Sequence, residues 1–490
     1  MSKNRIIGDT AAMAFVKILS MVTGIVTTMI LSRSLELVEY GTYSTGNLIT
    51  TTATSLSALG LMDAVNYYYN GKDISDGREK YVNTTFLLTL IFGSVAAASV
   101  LLFQNAITSY FHNAMLQSIY VYIAFRPLIT NLITASRNLH LAIGKAKFVA
   151  IRNAVYSIGK LLIVFITSIF TSNVSVIFLC ILVLEFSNVI LNFYVLEKNQ
   201  IHIRINHSDK NIISEILKFC IPMGIYIQAN ALTQNMDSFV IGYFESTDKL
   251  AIYTNCTTRL PIDFISTSLL TVLIPSITRS IQKGKLSDGA ELFKCYIKIG
   301  YLFTWAFGLA CMILAPQAVK FLYGEKYLDG TTIFVIYIIV DMLRFANLSL
   351  ILSAKGNTKT LMLISCGSLV ANLFLNIVFY WLFGFIGPAL ATIVVTVITI
   401  MLIINQSAKV LNIEIKNLFD GKHIIKYISC MLICGICTYA IRILMTNLNC
   451  HYFITLAVGG GFCVISILAL NYKEIRKTFR KLNEVGKLVI

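Results

Sequence analysis

The chain has few charged residues, few prolines and few tryptophans for its length. Of its 490 residues, 13% are charged, six are proline and two are tryptophan, whereas soluble proteins carry about 25% charged residues. These shortages exclude a soluble multidomain protein, a disordered chain and a collagen-like chain. Apolar residues make up 56% of the sequence, and this composition indicates a polytopic integral membrane protein.

Sequence motifs for several kinds of chemistry are missing as well. The chain contains neither a Gly-x4-Gly-Lys-[Ser/Thr] phosphate loop nor a His-Glu-x-x-His motif, and its six histidines are scattered. Cys430, Cys434 and Cys437 share a helical face, but we interpret them as small apolar side chains, because no acidic or histidine residue stands nearby. We therefore expect no bound metal, no cofactor and no enzymatic activity.

Apolar segments long enough to cross a bilayer recur along the whole chain. A transmembrane helix needs about 20 mostly apolar residues, and these segments do not alternate as the strands of a membrane barrel would. We therefore predict an all-α integral membrane protein with about fourteen spans. The spans are expected near 11–32, 45–66, 81–103, 115–141, 148–170, 174–196, 213–243, 251–278, 290–314, 328–352, 361–382, 386–406, 426–446 and 452–471.

Basic residues are distributed unevenly between the predicted loops. With the N-terminus assigned to the cytoplasm, the outer segments hold Arg33, Lys249, Lys320 and Lys326, whereas most of the chain's 40 lysines and arginines lie in inner segments. This is the positive-inside pattern. It predicts that both termini are cytoplasmic, and it explains the net charge of +16 without nucleic acid as a partner.

Two short motifs recur at nearly the same offset. Tyr43 and Tyr253 follow the first and seventh spans, 210 residues apart, and the turns at Gly144 and Gly356 follow the fourth and tenth, 212 residues apart. Coincidence is one explanation, because the motifs are short. A true repeat would give two like-oriented lobes of six helices with a ligand between them. The predicted divisions are an N-lobe at 1–196, a cytoplasmic linker at 197–212, a C-lobe at 213–406, two appended helices within 407–471 and a basic tail at 472–490.

Charged side chains inside the predicted spans indicate a hydrated chamber. Each costs at least about 2.5–3.5 kcal/mol at mid-bilayer, so such residues normally face a cavity or a partner. We interpret six basic residues as the lining of a cationic chamber for a phosphate-bearing ligand: Lys17, Arg126, Lys160, Arg259, Lys298 and Arg344. Four acidic residues are candidates for ion coupling or charge balance: Asp63, Asp237, Asp263 and Asp341. The alternative is local neutralisation, because Arg259 and Asp263 are four positions apart and Asp341 and Arg344 three.

Four amide side chains are candidates for binding sugars. Asn230 and Gln234 lie on one polar stripe of the seventh span, and Asn372 and Asn376 lie one turn apart on the eleventh. We interpret these residues as polar lining of the chamber. The alternative is that they form hydrogen bonds between neighbouring helices, as polar side chains often do in membranes.

Several short motifs follow one another along the chain. They include Arg33-Ser-Leu-Glu with Tyr40-Gly-Thr-Tyr, then Asp237-Ser-Phe-Val-Ile-Gly-Tyr-Phe, then Phe321-Leu-Tyr-Gly-Glu-Lys-Tyr and Gly384-Phe-Ile-Gly-Pro. In order and spacing they resemble the polysaccharide transporter family. These are the Wzx-type flippases of the multidrug/oligosaccharidyl-lipid/polysaccharide exporter (MOP) superfamily. Pro388 departs from the family pattern, in which a small residue is more usual.

The resemblance implies a fourteen-helix, two-lobe (MATE-like) exporter in the bacterial cytoplasmic (inner) membrane. It would move an undecaprenyl-pyrophosphate-linked oligosaccharide, a repeat unit of O-antigen lipopolysaccharide or of capsule, from the inner to the outer leaflet by alternating access. Coupling to H+ or Na+ is implied, as are a charged cavity containing Lys17, Asp63 and Arg259 and, as partners, a polysaccharide polymerase and a chain-length regulator. The alternatives are a drug/cation antiporter of the same superfamily, a peptidoglycan-precursor lipid flippase, and a membrane enzyme or assembly scaffold.

Overall fold

The computed structural model describes residues 3–71, 77–171, 173–204 and 210–489. The side chains at 3–12, 14, 223, 267, 269–272, 483 and 485–489 lie outside the description. Residues 205–209 of the predicted linker also lie outside the described residues. Every regular element in the described ranges is a helix, and the predicted all-α class is confirmed.

The chain divides into two compact units, Met1–Ile252 and Tyr253–Ile490. The helices of the first unit are α1 (Lys3–Ser34), α2 (Leu37–Ala58), α3 (Leu61–Gly71), α4 (Arg78–Leu102), α5 (Gln104–Tyr110), α6 (Tyr120–Ala142), α7 (Ala146–Phe170), α8 (Val174–Lys198) and α9 (Lys210–Phe244). Helix α10 (Thr247–Cys256) contains the boundary between the units.

Helices of the first unit pack through small residues and polar pairs. Helix α4 lies against α6, where a Cβ at Gly93 would come within 2.6 Å of the Leu128 side chain. Helix α9 packs on α2, α3 and α4, and the Tyr81 hydroxyl of α4 donates a 2.5 Å hydrogen bond to Glu215 of α9. Small residues let membrane helices approach closely, and polar pairs then join them.

A sharp turn separates α2 from α3. Leu59 and Gly60 have positive φ angles of 44° and 76°, a conformation that glycine adopts without strain. A Cβ at Gly60 would lie 2.8 Å from the carbonyl oxygen of Cys220, and one at Gly224 would lie 2.7 Å from the backbone of Leu59. The turn therefore depends on two glycines, which let α9 pass directly against its backbone.

Helix α12 is the central helix of the second unit. It contacts α11, α14, α17, α18, α19 and α20, and it buries Phe293, Tyr296 and Tyr301. The helices of this unit after α10 are α11 (Phe264–Gln282), α12 (Leu286–Ile313), α13 (Ala315–Leu322), α14 (Thr331–Leu343), α15 (Leu350–Ala354), α16 (Thr358–Phe383), α17 (Gly387–Leu411), α18 (Gly421–Asn447), α19 (Tyr452–Leu470) and α20 (Tyr472–Val489).

The structure largely matches the predicted spans and differs from them at three places, the first of which is the turn at Leu59 and Gly60 inside the span predicted near 45–66. In the described chain, eleven segments are long and apolar enough to cross a membrane, and one of them, Thr358–Leu411, contains both α16 and α17. The predicted spans near 251–278 and 328–352 are interrupted rather than continuous: residues 257–263 separate α10 from α11, and residues 344–349 separate α14 from α15.

The boundary between the two compact units lies after Ile252, whereas the predicted lobes are divided by the linker at 197–212. Helix α9, which the sequence assigns to a C-lobe at 213–406, belongs by its contacts to the first unit. The lobe divisions predicted from the repeat stay a prediction.

Candidate functional site

The first interruption lies between α10 and α11. It contains Pro261, which has no N–H to donate and disfavours helical geometry in the residue before it. The Thr258 hydroxyl donates to the carbonyl of Thr254 at 2.9 Å, and the backbone N–H of Leu260 donates to the carboxylate of Asp341 on α14. Because backbone groups within a membrane must find partners inside the protein, Asp341 supports the interrupted segment.

The second interruption follows α14 and is supported by α12. The Trp305 indole donates to the carbonyl of Met342 at 2.8 Å, and the backbone N–H of Asn347 donates to the Tyr296 hydroxyl at 2.9 Å. Carbonyl and amide groups released by the end of α14 are thereby satisfied by side chains of one neighbouring helix. Irregular backbone at membrane depth occurs where protein buries it or where it lines a cavity.

Four charged residues lie together beside the two interruptions, and we call them the break cluster: Arg259, Asp263, Asp341 and Arg344. The Arg259 Nη2 lies 2.6 Å from Asp263 Oδ2, and its Nε lies 3.7 Å from Asp341 Oδ1. Arg344 donates from Nη2 to the Thr396 hydroxyl at 3.0 Å, and its charge acts on Asp341. The Arg259 side chain is 51% exposed, whereas those of Asp263 and Asp341 are 11% and 6% exposed.

The geometry of the break cluster leaves room for an anion at Arg259. A guanidinium group carries five N–H donors in a planar fork, and about half of this side chain is exposed. Arginine binds phosphate oxygens in a bidentate manner, which makes it a usual partner of phosphates. Two arginines and two aspartates make the cluster close to neutral, so excess positive charge would not attract an anion. An anion would instead bind Arg259 by replacing one of its carboxylate partners.

Arg126 is held in a buried ion pair in the first unit. Its Nε lies 3.2 Å from Glu185 on α8, its Nη1 donates to Asn47 of α2 at 2.9 Å, and its guanidinium lies 4.8 Å from the centre of the Tyr122 ring. Glu185 also accepts from the Tyr156 hydroxyl at 2.8 Å. Sequence reasoning gave Glu185 no role, because it lies 59 positions from Arg126. The substrate role of Arg126 stays a prediction.

Lys298 lies where α12 meets α18 and α20. Its Nζ is 2.9 Å from Glu474 of α20 and 3.5 Å from Asp420, the N-cap of α18. The hydrogen bond from Lys298 is the main reason that the pKa of Glu474 lies below its ordinary value. Burial works to raise the pKa of Asp420, but the backbone N–H of His423 and the Lys298 ammonium together hold it below its ordinary value. Both carboxylates lie just outside the candidate spans. The partners of Lys298 therefore lie at the edge of the membrane region and not in its middle.

Lys17 and Lys160 lie on two helices that pack together, α1 and α7. The hydroxyls of Ser20 and Ser157, each about one turn from a lysine, are joined by a 2.8 Å hydrogen bond. Lys17 is exposed and Lys160 half-buried, and neither forms an ion pair with any residue that the structure describes. Of the six predicted basic residues, these two best fit the prediction of an unneutralised cation.

The two predicted acidic residues of the first unit differ in their surroundings. Asp63 is exposed and interacts electrostatically with Arg137. Asp237 is 1% exposed, and its carboxylate accepts a 2.9 Å hydrogen bond from the backbone N–H of Ser238. Their role in ion coupling stays a prediction.

The four predicted amides also fall into two kinds of surroundings. Asn372 and Asn376 are fully buried; Asn376 donates to Asn372 at 3.2 Å, and Asn372 donates to Thr392 of α17 at 3.3 Å. The second of these hydrogen bonds joins α16 to α17, as in the alternative of interhelical hydrogen bonding. On α9, Asn230 is half-buried and Gln234 is exposed, so these two are the amides that a sugar could reach.

Comparison with a family model decides the family of the chain. Residues 30–332 match the family described as "Polysaccharide biosynthesis protein". The chain belongs to this family. A curated relative, the probable lipid II flippase MurJ of Chlamydia muridarum (strain MoPn / Nigg), is 26% identical over 168 residues, which are 32% of this chain and 30% of that protein. The family predicted from the sequence motifs is confirmed.

Comparison with solved structures confirms the predicted fold. Lipid II flippase MurJ in an inward closed conformation has a TM-score of 0.69 at 14% identity and covers 94% of this chain and 99% of its own. A multidrug resistance MATE family transporter of the MOP superfamily, in an inward-facing conformation, has a TM-score of 0.66 at 13% identity, covering 80% and 95%. This member of the polysaccharide biosynthesis family is therefore a multi-pass membrane protein with the fold of the MOP superfamily.

Proposed function

We propose that the protein is a flippase that moves an undecaprenyl-pyrophosphate-linked oligosaccharide from the inner to the outer leaflet of a bacterial cytoplasmic membrane. The observation that carries this proposal is the combination of a polysaccharide biosynthesis family with the fold of membrane exporters. A membrane protein that serves polysaccharide synthesis has to handle sugars carried on lipid, and its fold is built for transport. Alternating access, driven by an H+ or Na+ gradient, is the proposed mechanism.

The break cluster is the proposed site for the pyrophosphate group. Substrate sites of transporters are typically formed where membrane helices are interrupted, and Arg259 lies at such an interruption with half of its side chain exposed. A pyrophosphate would displace Asp263 or Asp341 from Arg259, and the released carboxylate would then be free to bind a proton or Na+. Anion binding and ion coupling would thereby involve the same four residues.

An apolar groove that includes the end of α14 suits the lipid part of the substrate. It has a volume of about 610 Å³ and is lined by apolar side chains of α12, α14 and α18, among them Met342, Leu343 and Met431. Met342 directly follows Asp341 of the break cluster in the chain. A lipid chain would enter this groove from an equally apolar bilayer, so its binding would rest on van der Waals packing rather than on removal from water.

Two other substrates are supported by particular relatives. The likeness to MurJ favours a peptidoglycan-precursor lipid, and the likeness to a MATE transporter favours an organic cation. A lipid II flippase would be required for growth, whereas loss of an O-antigen or capsule flippase would remove surface polysaccharide. A cation antiporter would instead confer resistance to organic cations.

The proposed function is tested by complementation in the bacterium that carries this chain. Arg259→Gln should reduce surface polysaccharide at least tenfold and leave lipid-linked oligosaccharide on the inner leaflet, at unchanged protein abundance in the membrane. Lys249→Gln is the matched control, because Lys249 also forms an i,i+4 ion pair and its side chain is likewise 51% exposed. Normal polysaccharide with Arg259→Gln would remove the break cluster from the proposal. Normal polysaccharide after deletion of the whole chain would refute the function.

A further inference from the structure

A polar cavity in the second unit is separate from the break cluster. It has a volume of about 400 Å³ and is formed by the start of α12, the segment before α18 and the tail helix α20. We call it the tail-helix cavity, and five lysines line it: Lys294 and Lys298 of α12, Lys416 before α18, and Lys477 and Lys481 of α20. The carboxylates in its lining are Glu291, Asp420 and Glu474.

The acidic residues of the tail-helix cavity already have partners. Lys298 pairs with both Asp420 and Glu474, and Lys481 pairs with Glu291. The hydrogen bond from Lys481 to Glu291 also raises the pKa of Lys481, so this ammonium stays charged. These pairs join α20 to α12 and form the walls of the cavity.

Two lysines of the cavity are left without such a partner. Lys294 and Lys477 form no ion pair with a residue in the described part of the chain, and they approach the cavity from different helices. Lys416, at the rim, pairs with Glu414 at 2.6 Å. The lining therefore carries excess positive charge, contributed by side chains that an incoming anion can reach.

The position of the cavity identifies the kind of anion. The candidate span of α18 begins at Gly421, directly after Asp420, and that of α19 ends at Leu470, four residues before Glu474. The cavity thus lies at the ends of two candidate spans, the level at which a bilayer presents its lipid phosphates. The distribution of basic residues predicts that this membrane surface is cytoplasmic, and anionic lipids at the cytoplasmic surface attract lysines by about 1 kcal/mol each.

We propose that the tail-helix cavity binds the phosphate group of an anionic phospholipid through Lys294 and Lys477. Basic pockets between membrane helices on the cytoplasmic side are typical sites for phospholipid headgroups. A cavity of about 400 Å³ has room for a phosphate with its glycerol. The bound lipid would link α20 to α12 in addition to the ion pairs, and the site does not depend on the identity of the transported substrate.

The test measures lipid binding to the purified full-length protein by native mass spectrometry. Phosphatidylglycerol is the probe, and phosphatidylcholine is the zwitterionic comparison. Lys294→Gln/Lys477→Gln should weaken phosphatidylglycerol binding at least about tenfold, equivalent to about 1.4 kcal/mol. Lys283→Gln/Lys473→Gln is the matched control: it removes the same charge from two exposed positions outside the cavity, and it should leave binding unchanged.

Two further measurements test the charge of Lys477 and distinguish a lipid phosphate from free phosphate. Lys477→Glu changes a single exposed residue, so folding is preserved, and it should weaken binding more than Lys477→Gln. Inorganic phosphate in excess should not displace phosphatidylglycerol. The proposal is overturned if the cavity variant binds as the wild type does, if both double variants lose binding equally, or if free phosphate competes with the lipid.

Discussion

Charges within the membrane helices of this protein are mostly matched by partners on other helices. Arg126 with Glu185 and Arg259 with Asp341 each join side chains from distant parts of the chain. A buried ion pair gains little over an apolar pair, but removing one partner leaves an uncompensated charge and costs about 3–5 kcal/mol. The largely buried Arg126–Glu185 pair therefore constrains how α6 packs against α8.

Arg126→Gln is expected to lower the free energy of unfolding by about 3–5 kcal/mol, because the Glu185 carboxylate, only 4% exposed, would lose its guanidinium partner. The double variant Arg126→Gln/Glu185→Gln should recover most of that loss, since no unpaired charge remains. Thermal unfolding of the purified protein in detergent measures both. If Arg126→Gln unfolds as the wild type does yet abolishes export, Arg126 binds substrate instead.

Sequence could predict the charged residues but only some of their partners. The four-residue spacing of Arg259 and Asp263 predicts that they can meet, and the structure shows this pair at 2.6 Å. Spacing gives no information on Lys298, whose partners Asp420 and Glu474 lie 122 and 176 positions away. Such pairs depend on tertiary packing, which a single sequence does not encode in any local pattern.

At the scale of helices, the interruptions are the feature that hydropathy missed. A hydropathy window reports composition averaged over a segment, and it gives no information on whether the helix is continuous within that segment. Proline gives no clear signal either: Pro261 lies in an interruption, whereas Pro127, Pro222 and Pro275 lie inside helices that continue. What distinguishes Pro261 is the support given to its neighbours by Asp341, a residue on another helix.

The turn between α2 and α3 is expected to be intolerant of side chains. Gly60→Val should lower the melting temperature markedly, because a left-handed conformation costs about 1–2 kcal/mol for other residues and its Cβ would lie 2.8 Å from the Cys220 carbonyl oxygen. Gly367→Ala, in α16 with open space around its Cβ, should be neutral or stabilising. Equal effects of the two changes would contradict this account of the turn.

The attachment of α20 to α12 is expected to weaken only at acidic pH. The pKa values of Glu474 and Asp420 are lowered in the folded protein, so their pairs with Lys298 stabilise it above the unfolded pKa values and are lost as pH falls below about 4. Hydrogen exchange of residues 472–482, corrected for intrinsic rates, should be constant from about pH 5.5 to 8 and rise in stronger acid.

Lys298→Gln is the companion variant for this measurement. It should raise exchange of α20 already at neutral pH, because both carboxylates lose their shared ammonium group. A rise in exchange of the wild type between about pH 7 and 5.5 would mean that another group, such as a histidine, controls the attachment.

For the whole molecule, composition was sufficient to predict the all-α membrane class, and the order of the short motifs was sufficient to predict the family. Apolar runs predict the spans because a bilayer imposes their length. The lobe boundary before α9 stays a prediction from the repeat; the two compact units divide at Ile252, and α9 packs on α2, α3 and α4 of the first unit. A repeat relates equivalent positions and does not determine which helices pack together. Cytoplasmic termini stay a prediction from the loop charges.

The most direct test of the central claim is translocation by the purified protein in proteoliposomes. The probe is an undecaprenyl-pyrophosphate-linked oligosaccharide carrying a labelled sugar, and an impermeant reagent that destroys exposed sugars reports the leaflet. If the protein is the proposed flippase, proteoliposomes lose the label of both leaflets, whereas protein-free liposomes keep the inner half. Retention of the inner half in the presence of the protein, with transport of lipid II or of an organic cation instead, would contradict it.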